Sequence, residues 1–274
     1  MAQSDVHDRL RASTVEVSAG SYFTQVFAVA AAEVQKLYHD PFELLTRAVQ
    51  PVLWLMLFGE VMARVRGVAP GTTPYLDFLA AGILAQSALF VAIFYGISAI
   101  WERDLGILQR YLVSPAPRSA LVAGKALSAG VRGLSQTIIV YLLAFLLGVG
   151  LSFDPLHIAG VGVVIVLGSA LFSTLSLIIA CIVKTRERFM GIGQVITMPI
   201  FFASNAIYPL SLMPNWLRAV SHINPLTYEV DAIRALMLVN VGSEYGLLLD
   251  CGVLAGITIV LTMIASRTYA RMAY

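Results

Sequence analysis

The stretch WERDLGILQRYLVSPAPRSALVAGK, Trp101 to Lys125, lies between two long apolar segments and is rich in charged residues. Its leucines recur at three-and-four spacing, which predicts a short amphipathic helix from Arg103 to Leu112. The Ser-Pro-Ala-Pro sequence that follows fixes the backbone angle twice and must end that helix, so a new helix starts at Arg118 or Ser119. We call residues 101–125 the elbow, and we expect it to be stiff.

The composition of the whole chain places it in a membrane. Of its 274 residues, 58% are hydrophobic and 12% are charged, and the mean hydropathy is +0.81, so apolar side chains must face lipid. A spanning helix needs about 20 mainly apolar residues. Six segments qualify and predict an all-α polytopic membrane protein, with spans at approximately Leu44 to Ala63, Leu76 to Ile100, Leu127 to Val149, Leu156 to Val183, Gly191 to Leu210 and Leu247 to Ser266.

Lysine and arginine are distributed unequally between the two sides of this arrangement. With the amino terminus in the cytoplasm, thirteen of them lie at cytoplasmic positions and four at external positions. Cytoplasmic connections carry the excess of positive charge in membrane proteins. Both termini and the elbow are therefore predicted to be cytoplasmic. The formal net charge of +2 is too small and too scattered to predict nucleic acid as a partner.

The segments that flank the spans belong to the same single domain, residues 1–274. Residues 1–42 are the cytoplasmic and interfacial amino-terminal part, in which apolar residues at helical spacing from Tyr22 to Leu37 predict a helix in the membrane interface. Residues 43–266 form the six-span bundle, and residues 267–274 form a cytoplasmic tail. The external connection before the last span contains two helix signals, Pro214 and the pair Asn224-Pro225, and predicts two short helices that dip into or lie on the outer leaflet.

Three charged residues near the spans have ordinary explanations. Asp231 and Arg234 are three residues apart and are predicted to pair on the second external helix. Arg132 lies roughly two turns inside the third span, and its side chain is expected to extend to the inner membrane surface.

Two motifs carry a resemblance to a known family. The elbow, with Glu102-Arg103 followed by Gly106, Pro115, Arg118 and Gly124-Lys125, resembles the signature of ABC-2 type membrane permeases, the subfamily of the daunorubicin-resistance and nodulation-factor export permeases. The stretch NPLTYEVDAIRALML, which begins at Asn224, is similar to the stretch that precedes the last span in that family. The resemblance covers almost the whole chain.

The resemblance implies that this chain is half of a transporter driven by another protein. In the family, the elbow contacts a separate ATPase, and two permeases, identical or paralogous, assemble with two ATPase copies. The phosphate-binding sequence G-x-x-x-x-G-K-[ST] is missing here, so no cofactor is expected on this chain, and ATP and Mg²⁺ are expected on the ATPase. The residues expected to couple the two proteins are Glu102, Arg103, Gly106, Arg110 and Arg118.

The resemblance also implies a path for the cargo. Spans one and five border the gap between two permeases in the family, and both contain polar and proline residues that are costly in lipid. The residues predicted to line the path are Gln50, Pro51, Gln194, Phe201, Phe202, Ser204, Asn205 and Tyr208. A separate set of residues, Asn224, Pro225, Asp231 and Arg234, belongs to the external helices. The expected cargo is a drug-like or lipid-linked amphipathic molecule that leaves across the bacterial cytoplasmic membrane.

Three alternatives remain open at this point. One is an exporter of a polysaccharide or glycolipid, with the same partners. Another is an intramembrane lipid-modifying enzyme, for which His222, Glu229 and Asp231 are the nearest approach to a catalytic cluster. The third is an ion-coupled secondary transporter, although its usual midplane acidic residues are missing, since Asp77, Asp154 and Asp250 fall near span ends.

Overall fold

A computed structural model gives the structure of the chain. It describes residues 49–65, 73–106, 118–183 and 185–268, together with residues 24, 26–28, 31, 35 and 46. The predicted interfacial helix lies mostly outside these residues, although those described between Thr24 and Gln35 are helical. The described chain is all-α, as predicted, and its only β-type pairing is an isolated bridge between Leu151 and Leu238.

The described ranges contain nine helices, which we number in chain order. They are α1 Val49–Ala63, α2 Tyr75–Tyr95, α3 Ile97–Asp104, α4 Arg118–Leu146, α5 Pro155–Ile182, α6 Arg186–Phe202, α7 Asn215–Ile223, α8 Pro225–Met237 and α9 Leu247–Thr268. A π-helical segment, Trp54–Gly59, forms part of α1. A 3₁₀ turn, Leu210–Leu212, lies between α6 and α7.

Four helical segments in the described ranges are long and apolar enough to cross a membrane, where the sequence predicts six. These segments are Tyr75–Asp104, which joins α2 and α3, Ser119–Leu146, Pro155–Ile182 and Leu247–Thr268. The first and fifth predicted spans correspond to the shorter helices α1 and α6. The described part of α1 begins at Val49, and most of residues 44–48 lie outside the described residues.

The predicted end of the fifth span at Leu210 is wrong, because α6 ends at Phe202. Pro199 lies in its last turn, where it supplies no backbone N–H to the helix. Ser204 then closes the helix end, since its hydroxyl donates to the Phe201 carbonyl at 2.7 Å. At its start, α6 reaches back to Arg186, where Thr185 acts as the N-cap.

The third predicted span is part of a longer helix, whose start confirms the prediction that a new helix begins at Arg118 or Ser119. Helix α4 starts at Arg118, nine residues before the predicted Leu127, because the helix that follows the elbow prolines continues directly into the apolar segment. Its start agrees with the end of the elbow predicted from the prolines. The fourth span agrees closely with prediction, and Asp154 caps α5 by accepting from the Leu156 amide at 2.9 Å.

The core forms where α5 packs against α2, α4, α8 and α9. Helix α2 contributes five alanines to this core, which allow its neighbours to come close: Ala80, Ala81, Ala85, Ala88 and Ala92 are all fully buried. Gly82 shows how close the approach is. A β-carbon added there would lie 2.1 Å from the carbonyl oxygen of Ala206.

Helix α8 lies beside the amino-terminal half of α5. Leu236 packs against Gly160 and Glu229 packs against Gly168, so the amino-terminal end of α8 lies deeper along α5 than its carboxyl-terminal end. Asn224 begins α8 as its N-cap, with Pro225 at the first helical position, as the sequence predicts. Beyond the helix, the Ser152 amide donates to the Met237 carbonyl at 2.8 Å, which holds α8 to the connection between α4 and α5.

We predict that Gly82→Ala destabilises the bundle by about 1–3 kcal/mol. The new methyl group would overlap backbone atoms, which cannot move aside by a change of side-chain rotamer. The measurement is the thermal unfolding midpoint of the purified chain in detergent. Gly256→Ala on α9 is the matched control, since nothing lies within 4 Å of a β-carbon there. A Gly82→Ala midpoint equal to that of the control would contradict the close packing described here.

Candidate functional site

The elbow begins differently from the prediction. Helix α3 ends at Asp104, and Gly106 has a φ of 70°, in the left-handed region. Because a glycine in this conformation typically terminates a helix, the predicted continuous helix from Arg103 to Leu112 is wrong at its start. Arg103 and Asp104 belong to the end of the preceding span. Residues 107–117, including Arg110, lie outside the described residues.

A buried ion pair joins the two ends of the elbow. The Lys125 ammonium of α4 lies 2.7 Å and 2.8 Å from the two carboxylate oxygens of Glu102 on α3. Both side chains are buried, with 2% and 6% of their surface exposed. The pair therefore fixes the distance between the helices that enter and leave the elbow.

Polar contacts surround this pair on the α2–α4 interface. The hydroxyl groups of Tyr95 and Ser128 lie 3.0 Å apart. Ser128 also donates to the Lys125 carbonyl at 2.8 Å, and the Lys125 ammonium lies 5.9 Å from the centre of the Tyr95 ring. Two charges in a low-dielectric interior are stable only when such contacts compensate for lost water.

The expected extension of Arg132 to the membrane surface is wrong. Arg132 is buried, and its guanidinium lies 5.1 Å from the centre of the Tyr95 ring. An aromatic face attracts a cation, so the residue has a partner inside the bundle and its long side chain does not need to reach the aqueous boundary.

Next to the ion pair, a partly exposed cluster joins α3 to the start of α6. Asp104 binds Arg103 at 3.1 Å and Arg186 at 2.9 Å. The Arg186 guanidinium also lies 3.6 Å from the centre of the Trp101 ring. A carboxylate at the carboxyl end of a helix opposes the helix dipole, and the two arginines compensate for that.

Four of the five residues predicted to couple to an ATPase are described, and they lie in different environments. Glu102 is buried and paired with Lys125, so its role in the structure is to join the two helices on either side of the elbow. Arg103 is partly exposed beside Asp104, and Gly106 forms the turn after α3. Arg118 begins α4. The prediction that these residues act in coupling stays a prediction.

The predicted path residues gather around α1 and the end of α6. Phe201 is fully buried and meets Trp54 of α1 edge-on, with ring centres 5.6 Å apart, so the two helices are neighbours. Pro51 is buried and Gln50 is partly buried. Gln194 and Phe202, which also belong to α6, are exposed.

The remaining predicted path residues lie in the turn after α6. Ser204 and Asn205 are buried. Ser204 caps the helix, whereas the Asn205 side-chain amide has no partner among the described residues. The Tyr208 hydroxyl donates to the Phe202 carbonyl and so folds the turn back on the helix.

The predicted pair between Asp231 and Arg234 is also wrong, since within the described chain each binds other groups. Arg234 donates to the Asn205 carbonyl at 2.9 Å, and its guanidinium lies 3.8 Å from the centre of the Phe78 ring. Asp231 accepts from the Ser243 hydroxyl and from the Glu244 and Tyr245 amides. Both residues are buried and fix the outer end of the bundle.

A cavity of about 160 Å³ opens between α1, α2 and α4. Its lining is uncharged and combines hydrogen-bonding with aromatic groups: Gln50, Ser87, Phe90, Val91, Phe94 and Gln136. A second cavity, of about 180 Å³, lies at the outer end and is lined in part by Asn205, Asp231, Arg234 and Glu244.

A model of the ABC-2 type transporter family matches residues 24–238. The chain belongs to the ABC-2 type transporter family. It is 28% identical over 225 residues to the putative transport permease ycf38 of Cyanophora paradoxa, across 78% of this chain and 74% of that protein. The daunorubicin resistance permease DrrB1 of Streptomyces coeruleorubidus is 25% identical, across 84% of this chain and 81% of that protein. Nodulation protein J of Sinorhizobium fredii is 27% identical, across 69% of this chain and 70% of that protein.

The family match confirms the resemblance drawn from the two motifs and identifies the chain as a membrane permease of the ABC transporters. Within this ABC-2 permease, sequence reasoning missed Lys125 as the partner of Glu102, because the two are 23 residues apart. It also missed Gln136, although the signal was available. Gln136 is a polar residue inside a predicted span, as Gln50 is.

We predict that Glu102→Gln and Lys125→Met each lower the stability of the permease by about 3–5 kcal/mol, because each leaves the opposite charge buried and unpaired. The exchange of both residues, Glu102→Lys with Lys125→Glu, should recover a large part of the loss. Asp104→Asn is the control, and since its pairs are partly exposed it should cost about 1 kcal/mol or less. The measurement is thermal unfolding in detergent, and a double exchange no better than the single changes would argue against the pair.

Proposed function

We propose that this ABC-2 permease is the membrane subunit of an exporter that moves an amphipathic drug-like or lipid-linked molecule out across the cytoplasmic membrane. ATP and Mg²⁺ bind to a separate ATPase subunit, present in two copies, and this chain itself is not an enzyme. A second permease, either the same chain or a paralogue, completes the transporter. Both termini and the elbow face the cytoplasm.

The observation that carries this proposal is the buried pair between Glu102 and Lys125. A loop that only connects two spans needs no such pair, whereas a segment that transmits force must be fixed to the helices it moves. The pair joins α3 and α4 directly at the base of the elbow. A push on the elbow by an ATPase would therefore move both helices together.

The exposed face of α6 supports a second permease as partner. Gln194 lies on that face among exposed apolar residues that include Val195 and Phe202. A glutamine carboxamide facing lipid tails is costly, so a second permease or the cargo path is a better neighbour than lipid. Helix α1 has exposed apolar residues as well, Leu53, Met56 and Leu57.

The test of transport is ATP-dependent uptake into inside-out vesicles that contain the permease and the ATPase that co-purifies with it. Since one relative is named a daunorubicin resistance permease, daunorubicin is the first cargo to test. We expect accumulation with ATP and none with a non-hydrolysable analogue or an inactive ATPase. Uptake that persists without ATP and disappears with a proton ionophore would overturn the proposal in favour of ion coupling.

We predict that Arg110→Glu lowers the recovery of the ATPase with the affinity-tagged permease by about tenfold, which corresponds to roughly 1.4 kcal/mol of lost contact. Arg188→Glu is the control, because Arg188 is an exposed arginine near the same end of the bundle. The thermal midpoint of both variants should equal that of the parent. Equal ATPase recovery with both variants would remove Arg110 from the coupling surface.

The predicted orientation has its own test in a chain whose two free cysteines, Cys181 and Cys251, are replaced by alanine. In intact cells, a membrane-impermeant maleimide should label Gly242→Cys, an exposed external position, and leave Arg110→Cys unlabelled. Permeabilisation should expose Arg110→Cys. Labelling of Arg110→Cys in intact cells would place the elbow outside, where no ATPase can reach it.

A further inference from the structure

The cavity between α1, α2 and α4 lies within the depth of the membrane. Ser87 is twelve residues into α2, about 18 Å from its start at 1.5 Å per residue. Gln136 is ten residues from the end of α4, about 15 Å from that end. A hydrocarbon layer is about 30 Å thick, so both residues lie near its middle.

Gln136 forms the base of this cavity with its hydrogen-bonding capacity unused. Its side chain is 1% exposed, and neither its amide nitrogen nor its carbonyl oxygen has a partner among the described residues. Nearly all buried polar groups in proteins are hydrogen-bonded, and in a membrane water does not supply the partner. A group that enters the cavity is the partner that this side chain lacks.

The other lining residues define what that group is. None of the six is charged, so an ionic group would lose its hydration without compensation. Ser87 donates its hydroxyl proton to the Ile83 carbonyl at 2.7 Å and offers only lone pairs to a ligand. The rings of Phe90 and Phe94 lie 6.1 Å apart, and they line the cavity beside Gln50, all three being partly exposed.

We propose that this cavity binds the uncharged, hydrogen-bonding part of an amphipathic cargo, such as an aryl ketone, amide or phenol. The carbonyl or hydroxyl of the ligand bonds to the Gln136 carboxamide, and its ring packs against Phe90 and Phe94. The volume of about 160 Å³ suits one ring system, since an apolar cavity of about 150 Å³ in another protein accepts benzene. The assignment of this ligand as cargo rests on the proposed export function, whereas the binding itself does not.

The test uses benzophenone, a neutral aryl ketone that forms a covalent bond to nearby C–H groups when illuminated; its carbonyl and one ring occupy the cavity, and its second ring extends out of the opening. The purified full-length permease is labelled without ATPase or ATP, and the labelled residues are located by peptide mass spectrometry. We expect labelling at residues 87–94 and around residue 136. Acetophenone should compete for these positions, whereas ethylbenzene, which lacks the carbonyl, and benzoate, which is charged, should compete poorly.

The matched variants are Gln136→Met, which keeps the length of the side chain and removes its hydrogen-bonding groups, and Thr137→Val on the same helix. Labelling at the cavity should fall about fivefold in Gln136→Met, as expected for one lost hydrogen bond, and remain unchanged in Thr137→Val. The thermal midpoint of Gln136→Met should equal or exceed that of the parent, because a buried unpaired amide has been removed. A lowered midpoint would indicate a structural partner for Gln136 and overturn the proposal.

Two further results would also overturn it. Equal competition by ethylbenzene and acetophenone would show a purely apolar cavity of the kind that holds a lipid chain. Labelling spread evenly over the lipid-facing residues would show that the cavity is not a site. Because the assay needs no ATP, specific labelling together with failed vesicle transport would leave the site standing and reject the export function alone.

Discussion

Close approach between helix backbones is the interaction on which this bundle depends. In lipid, helices gain little from excluding water, so van der Waals packing and a few interhelical hydrogen bonds hold them together. The alanines of α2, and Gly82 against Ala206, bring α2 close to its neighbours. Ser176 adds a hydrogen bond to the Ile93 carbonyl, between α5 and α2. The positions of the elbow, the turn after α6 and helix α8 all follow from this packing.

The same packing explains where polar groups are tolerated. The pair between Glu102 and Lys125 lies near the end predicted to be cytoplasmic, within a set of contacts that includes Tyr95 and Ser128. Asp231 and Arg234 lie near the opposite end, where backbone groups satisfy them. Between these two ends lie carboxamides and hydroxyls, but also Glu229, whose fully buried side chain packs against Gly168 halfway along α5. Charge is most costly at the centre of a bilayer, so this carboxyl group is the exception among the buried polar groups described above.

Much of the fold could be predicted from the sequence, because apolar length and helix caps are local properties. Asp154 before α5 and the Asn224-Pro225 pair before α8 mark their helices correctly. The errors arise where two local signals compete, one for continuing a helix and one for ending it. Leucine spacing after Arg103 predicts a helix, but Gly106 ends one there, and Pro199 together with Ser204 ends α6 early. The site was less predictable, since Glu102 with Lys125 and Gln50 with Gln136 meet only after the helices pack.

The contacts of Arg234 have a consequence for how the outer end of the permease can move. Arg234 is a residue of α8, and its guanidinium lies against the ring of Phe78 on α2. The same guanidinium donates to the carbonyl of Asn205, in the turn after α6. The Arg234 side chain therefore connects three separate segments. Helix α8 cannot move away from α2 and from the turn after α6 without breaking these contacts. Either the guanidinium loses its ring and carbonyl partners, or all three segments move together.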